Sequence, residues 1–461
     1  MRRLLKNCKI LIRTNEGYKV LTNAYLGIDK DTIDYIAEKY PTKKYDEEKD
    51  MEGKLIMPGL INAHGHSPMT LLRGVGSGLK LQDWLNNAVF PIEEKLVPQD
   101  ILIGCKLAIM EMLSTGTTTF AEMYDFPYAS AYAIAESGIK SNLCRVGFCL
   151  DPNIEGEDDE RTIECIEFID SFYNRDFGNT EAIRELDACK KDENYIETIV
   201  NAIDKGRLKA DFCLHSEYLT TPNVVKAMAD ENKRLKDCVQ VHVSETKQEH
   251  NDCIERHGKT PIKYFNDIGI LDNNTYAAHC VWVTDEDLEI MKERNVTLVH
   301  NPSSNMKLGS GFAPITKALD MGINIALGTD GCASNNNLNM FEEMHLAALI
   351  HKGFKNDPIV LSATQILDMA TINGAKAMGR EDTGVIEVGK KADIIAINMD
   401  KPHLYPALDI PNLIVYSMQG SDVCMTMVDG KILYENGKFL TIDKEKTLKE
   451  AEVIIKRLFL R

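Results

Sequence analysis

Two histidines separated by one residue, His64 and His66, follow the apolar segment Ile56-Met57-Pro58-Gly59-Leu60-Ile61-Asn62-Ala63. In extended backbone a spacing of two puts both imidazoles on one side, where they can share an ion. Alone the pair says little, because 11 histidines in one chain can produce such a spacing by chance. His242, however, belongs to the alternating segment Val239-Gln240-Val241-His242-Val243, and Asp330 lies in Leu327-Gly328-Thr329-Asp330-Gly331 after an apolar run. Three imidazoles and a carboxylate suit a borderline cation, zinc first with iron or manganese behind it. A structural site would be closed by thiolates and remote from a cleft, so these ligands point to a catalytic ion that keeps a water. Glu245, three residues beyond His242, and His279 in Ala277-Ala278-His279-Cys280 are the candidate proton carriers. Singly, Glu245 reads as a solvated loop carboxylate and His279 as a hydrogen-bonded core histidine. Their shared position at strand ends favours chemistry.

Such groups must be held by a rigid frame. Short apolar segments alternate with longer amphipathic ones, the pattern of parallel strands linked by crossover helices. Eight strands are expected, near residues 55–62, 116–120, 142–149, 210–214, 239–243, 275–278, 296–299 and 323–327. Eight is the number that closes a barrel, and the chemical residues, with His215 and His300, sit at the C-terminal ends where a barrel carries its catalysis. The expected fold class is therefore α/β: a (β/α)8 TIM-type barrel over residues 57–382. Residues 1–56 and 383–440 carry short strands and turns such as Asn15-Glu16-Gly17 and Asp429-Gly430, and are expected to pair into a small β-sandwich domain built from both chain ends. Residues 441–461 are expected to form a C-terminal helix, and charge-rich helical sequence over about 155–209 an insertion that covers the site.

The 461 residues include 53 basic and 70 acidic side chains, a formal charge of −17, which repels phosphate backbones and anionic lipid. Neither nucleic acid nor membrane is an expected partner. The twelve cysteines contain no CxxC pair and a chain this long needs no disulfides, so a reducing, cytoplasmic setting is expected. Lys6, Asn7 and Lys9 interrupt the apolar stretch after Met1-Arg2-Arg3-Leu4-Leu5, which argues against a signal peptide, and no apolar run approaches the roughly 20 residues of a membrane span. Whether the chain forms a homo-oligomer stays open.

Pro58-Gly59-Leu60-Ile61-Asn62-Ala63-His64-Gly65-His66, His242-Val243-Ser244-Glu245 and Gly328-Thr329-Asp330-Gly331 resemble the amidohydrolase superfamily. Ser67-Pro68-Met69-Thr70-Leu71-Leu72-Arg73-Gly74, Trp84-Leu85, Pro91-Ile92-Glu93, Ala278-His279-Cys280, the stretch from His300 to Gly309 and Ala333-Ser334-Asn335-Asn336 narrow the likeness to the methylthioadenosine/S-adenosylhomocysteine deaminases. The resemblance spans nearly the whole chain. It implies one zinc ion per subunit and a nucleoside substrate. Glu93 would bind the ribose hydroxyls, Trp84 would wall the sulfur-bearing end, Arg145 and His215 would contact the nucleoside, and Ser334 would orient the purine. Arg161 would pair with a homocysteine carboxylate, since guanidinium binds such groups bidentately. Binuclear relatives often place a carboxylated lysine at the fourth strand; this chain has Cys213-Leu214-His215-Ser216, so a single ion is implied. In the implied reaction hydroxide attacks C6 of adenine while Glu245 protonates N1, Asp330 and His279 assist, and ammonia leaves. Deamination of guanine or another aminopurine or pterin, triazine dechlorination on the same scaffold, and a non-catalytic binding module are the competing readings.

Overall fold

The computed structural model describes every residue except Leu150, Pro152, Glu155, Lys236, 190–193 and 460–461. The eight barrel strands follow one another in order. They are Leu60–Asn62, Thr117–Tyr124, Lys140–Arg145, a fourth in two pieces (Leu208–Ala210 and Phe212–Leu214), Val239–Val243, Thr275–His279, Thr297–His300 and Ile325–Leu327. All neighbours pair in parallel, and a bridge from Gly147 to Leu214 joins the third strand's extension to the fourth. The ring closes where the Ala63 N–H donates to Leu327 O (2.9 Å) and the Asp330 N–H to His64 O (3.0 Å). The fifth to eighth strands are buried on both faces, and β-branched and small residues recur in them.

The expected first strand, 55–62, is in fact two. Lys54–Pro58 belongs to the terminal sheet and only Leu60–Asn62 to the barrel. Gly59 is the joint: a Cβ there would lie 2.2 Å from the Thr118 side chain, so the chain passes the second barrel strand with no room for any side chain. Its N–H donates to Asp393 O (3.0 Å), which ties the joint to the far end of the sequence.

The terminal strands, expected as a small sandwich, are joined by hydrogen bonds into one nine-stranded mixed sheet that curls on itself, so that Leu26, Ile28 and Ile33 share a core with Met425 and Met427. Its order runs from Lys438–Phe439 through Lys431–Glu435, Val423–Val428, Ile394–Asn398, Lys54–Pro58, Arg2–Thr14 and Gly17–Asp29 to Thr32–Ala37, with Glu47–Asp50 alongside Arg2–Thr14. The physical reason is that the long strand Arg2–Thr14 carries two register shifts and forks the sheet, pairing Glu47–Asp50 over its first half and Lys54–Pro58 beyond. Sheet and barrel are locked by the buried Lys140, whose ammonium reaches Asp393 (2.5 Å) and Asp429 (2.7 Å). Beside it the buried Arg380 donates to Asn142 Oδ1 (2.6 Å) and to the carbonyls of Ser141 (2.7 Å) and Gly206 (2.6 Å).

Among the described residues between the third and fourth strands are a 3-10 turn, Gly156–Asp158, and the α-helices Glu160–Asn174, Thr180–Ala188 and Tyr195–Asp204; residue 155, where the insertion was expected to begin, is outside the described residues. The C-terminal helix Lys444–Phe459 packs on Pro98–Ser114, with Arg457 pairing to Asp100. Among the described residues no helix is long and apolar enough to cross a membrane.

Candidate active site

The first strand ends at Asn62, and the two residues after Ala63 and Gly65, His64 and His66, turn into the C-terminal mouth of the barrel, both buried. The fifth strand brings His242 to the same point and the segment after the eighth brings Asp330. His66 Nε2 lies 3.2 Å from Asp330 Oδ1 and 3.4 Å from His242 Nε2, and His64 Nε2 lies 3.6 Å from Asp330 Oδ1.

The other ring nitrogens set the tautomers. His66 Nδ1–H donates to Met123 O (2.5 Å) and His242 Nδ1–H to His215 O (2.8 Å), which leaves the Nε2 lone pairs converging. His64 Nε2 is buried and has no hydrogen-bond partner. Lone pairs gathered this closely repel one another unless a cation lies among them, so the donor set fits a transition metal held by His64, His66, His242 and Asp330. Burial pushes the His215 and His242 imidazoles down, His215 to about 3, and neighbouring histidines add to this, so both stay neutral. For Asp330 burial opposes ionisation, yet the imidazoles of His64 and His66 against it, with His279 beyond, hold the carboxyl well below the usual range.

Asp330 is also fixed from behind. Its Oδ2 accepts the hydroxyls of Ser304 (2.6 Å) and Ser334 (2.7 Å), and its Oδ1 the N–H of Gly331 (2.8 Å). Gly328 two residues earlier is required by space: a Cβ there would meet the backbone nitrogen of His64 at 2.9 Å. Ser244, His279, Cys280 and Asp330 all adopt left-handed backbone, with φ of 48°, 72°, 48° and 60°. Non-glycine residues accept that conformation only where surroundings enforce it, and of these four His279 and Asp330 turn their side chains to the site.

Glu245 and His279 face each other across this point, Oε2 to Nε2 at 3.9 Å. Burial raises the Glu245 carboxyl. His279 is also raised, because the charges of Glu245 and Asp330 outweigh its own burial. His279 Nδ1–H donates to Asn305 Oδ1 (2.9 Å), which directs Nε2 to the site, while Glu245 Oε1 is buried without a hydrogen-bond partner. The turn that presents Glu245 is held by Glu249, whose carboxylate accepts the N–H groups of Ser244 (2.8 Å) and Glu245 (2.7 Å). Ser304, Asn305 and Glu249 are functional supports that the sequence reading did not single out. The capping box Thr246-x-x-Glu249 was the available signal for Glu249, and the motif from His300 to Gly309 for Ser304 and Asn305.

The remaining expected residues are distributed unevenly. Glu93, half-buried at the end of Phe90–Glu93, accepts the Tyr124 hydroxyl (2.5 Å) and is pushed up to about 7 by burial. His215 lies against His242, ring centroids 4.5 Å apart. Trp84 is 5% exposed, donates Nε1–H to Val75 O (3.1 Å) and sits in the main core beneath the 74–80 loop. The Ser334 hydroxyl is committed to Asp330. Arg145 is surrounded by Asp125 (3.0 Å), Glu181 (2.8 Å) and Glu164. Arg161 donates to the same Asp125 oxygen (2.8 Å) and lies over the Phe148 ring. Two guanidiniums therefore share three carboxylates at the insertion's first helix.

The chain is 43% identical over 99% of both chains to the 5-methylthioadenosine/S-adenosylhomocysteine deaminase of Acetivibrio thermocellus. It is 38% identical to the 5'-deoxyadenosine deaminase of Methanosarcina acetivorans, over 99% of this chain and 98% of that one. Among solved structures it resembles an adenosine deaminase from Xanthomonas campestris with bound zinc, with a TM-score of 0.86 and 28% identity over 99% of this chain and 98% of that one. A zinc complex of the atrazine chlorohydrolase of Arthrobacter aurescens shares the fold, with a TM-score of 0.85 at 22% identity over 98% of this chain and 100% of that one. The amidohydrolase family model matches residues 55–433, from the joint strand through the whole barrel into the terminal sheet, and the chain belongs to the amidohydrolase family.

Proposed function

We propose that this protein is a zinc-dependent deaminase of adenine nucleosides, converting 5'-methylthioadenosine, 5'-deoxyadenosine and related substrates to inosyl products and ammonia. The observation that carries the reading is the buried Glu245–His279 pair, both raised toward their protonated forms, beside three converging imidazoles and Asp330. A metal hydrolase that attacks a ring carbon needs an acid able to protonate ring nitrogen, and a carboxyl whose hold on its proton is strengthened by burial suits that role.

His64, His66, His242 and Asp330 would hold the zinc, which when bound would make water acidic enough to lose a proton near neutral pH, its pKa falling from about 15.7 to about 7. Glu245 donates to N1 of the purine as the C6–O bond forms, which makes C6 electrophilic and leaves a tetrahedral carbon. Asp330 takes the proton of the attacking water. His279, held by Asn305, donates toward the developing oxyanion. The proton taken by Asp330 then passes to the exocyclic nitrogen, the C6 hydroxyl returns a proton to Glu245 as the carbonyl forms, and the C6–N bond breaks to release ammonia.

Glu93 binds the ribose hydroxyls, with Tyr124 fixing its carboxyl, and His215 lines the nucleoside pocket beside His242. The purine is oriented indirectly through Ser334, which holds Asp330. Arg161 is already paired to Asp125, and with Arg145 it faces an excess of carboxylate, so a zwitterionic homocysteine tail gains less there than an apolar 5' group. The substrate order we assign is therefore methylthioadenosine and deoxyadenosine ahead of S-adenosylhomocysteine. All twelve cysteines are free, which suits a reducing cytoplasm.

The test is ammonia release and the ultraviolet change on adenine-to-hypoxanthine conversion. The panel is methylthioadenosine, deoxyadenosine, adenosine, S-adenosylhomocysteine, guanine and a chlorotriazine, each with the zinc-loaded chain. Turnover of the nucleosides is expected, with kcat/KM highest for the apolar 5' groups. Turnover of free guanine or the triazine alone would refute the reading.

A further inference from the structure

Residues 204–207 lead into the fourth barrel strand and Gly138 into the third, so the cavity they line opens at the N-terminal end of the barrel, opposite the histidines. Its volume is about 770 Å³, within the usual range of small-molecule sites. Its other walls come from the terminal sheet, through the turns near Lys30 and Asp429 and through Lys391.

The charges around it are unbalanced. Arg3, Lys30, Lys205, Arg207, Lys391 and Lys431 line the cavity against three carboxylates, Asp31, Asp204 and Asp429, in a chain whose net charge is −17. Those carboxylates are largely taken. Asp31 pairs with Lys391 (2.5 Å), Asp204 with Arg175 (3.1 Å) outside the cavity, and Asp429 with the buried Lys140 (2.7 Å). Arg3 is held by Glu47 (2.9 Å). Lys30, Lys205 and Lys431 make no ion pair among the described residues. Arg207 Nε is buried, makes no hydrogen bond, and comes no nearer than 3.6 Å to Asp429. Lys30, Lys205 and Lys431 stand on the exposed rim of the cavity, and the Lys431 ammonium is pulled down by partial desolvation and then by Arg207 and Lys205, both of which repel it. Ile28, Val428, Ile432 and Leu440 supply an apolar wall beside them.

Uncompensated cations around a walled space are what a multiply charged anion neutralises, and an apolar wall beside them accommodates an organic body. We propose that this cavity binds a phosphate-bearing small molecule, its phosphates among Lys205, Arg207 and Lys431 and any organic portion against Ile28, Ile432 and Leu440. Free oligophosphate and a nucleotide share this chemistry. The site is separate from the metal centre and does not depend on which reaction that centre performs.

The experiment is a calorimetric titration of the zinc-loaded full chain with inorganic tripolyphosphate and, separately, uridine 5'-triphosphate, which has no purine amino group to engage the catalytic site. Both are repeated at constant ionic strength on the variant Lys205→Glu/Lys431→Glu, with bound zinc measured after each titration because polyphosphates chelate it. Saturable binding that weakens with added salt, and that is at least about tenfold weaker in the variant, is expected. Tighter binding of the nucleotide identifies an organic body, and tighter binding of tripolyphosphate identifies phosphate alone. The proposal is overturned if neither probe saturates the wild type at millimolar concentration, or if the variant binds equally well. The milder Lys205→Gln/Lys431→Gln variant gives the same comparison without introducing negative charge.

Discussion

A carboxyl group that donates a proton near neutral pH must be held protonated there, and Glu245 is raised by burial with one oxygen lacking any hydrogen bond. Glu245→Gln keeps the shape and removes the acid. We expect kcat to fall roughly 10²- to 10⁴-fold with zinc content unchanged, measured by ammonia release and metal analysis on the same preparation. Retention of full activity would show that another group protonates the ring. The hydroxyls on Asp330 give a different expectation. Ser304→Ala or Ser334→Ala removes one of two donors to Oδ2, so zinc affinity falls about 10- to 100-fold, read by competition with a chromogenic chelator. At this scale the sequence made the histidines and Asp330 visible because ligand chemistry restricts residue type. The roles of Ser304, Asn305 and Tyr124 were hidden, because a hydroxyl or amide acquires its partner only through the fold. For Ser334 and Trp84 the structure adds what their motifs did not show, that their polar atoms are bound to Asp330 and Val75.

The helices that separate the third and fourth strands are anchored by Arg145, 5% exposed, which lies at the end of a barrel strand and grips Asp125, Glu164 and Glu181. Arg145→Met leaves three carboxylates without their buried cation, and we expect a loss of about 3–5 kcal/mol in urea unfolding. Behind it Glu185 accepts the N–H groups of Tyr128 and Ala129, both at 3.0 Å, at the start of Pro127–Ser137. Burial, reinforced by Glu181, pushes the Glu185 carboxyl up to about 8. A carboxyl raised by folding keeps its proton in the native state while the unfolded chain has lost it above about pH 4.3. Its contribution is thus greatest at low pH and is lost as pH climbs toward 8. Glu185→Gln should flatten the dependence of Tm on pH over that window, and an unchanged slope would remove Glu185 as its source. Strand count was legible because eight apolar runs with polar C-terminal ends recur along the chain. The break at Gly59 was not, because the run 55–62 is apolar throughout and only the approach of Thr118 divides it.

For the molecule as a whole, a metal bound only by the native state adds stability of about 2.7 kcal/mol when its concentration is 100 times Kd. Dialysis against a chelator should therefore abolish deamination and lower Tm together, and zinc should restore both. Loss of activity with no change in Tm would mean that the ligands are not gathered around the ion. The nine-stranded sheet has a consequence of another kind, in the order of assembly. Lys54–Pro58 lies between Arg2–Thr14 and Ile394–Asn398, so one of its neighbours is made almost at once and the other only after the entire barrel. Until synthesis reaches that second neighbour, the strand is an open edge, and contacts so distant along the chain form slowly. Through Gly59 the same strand continues directly into the segment bearing His64 and His66. His64 and His66 are therefore synthesised long before the strand that completes the frame behind them.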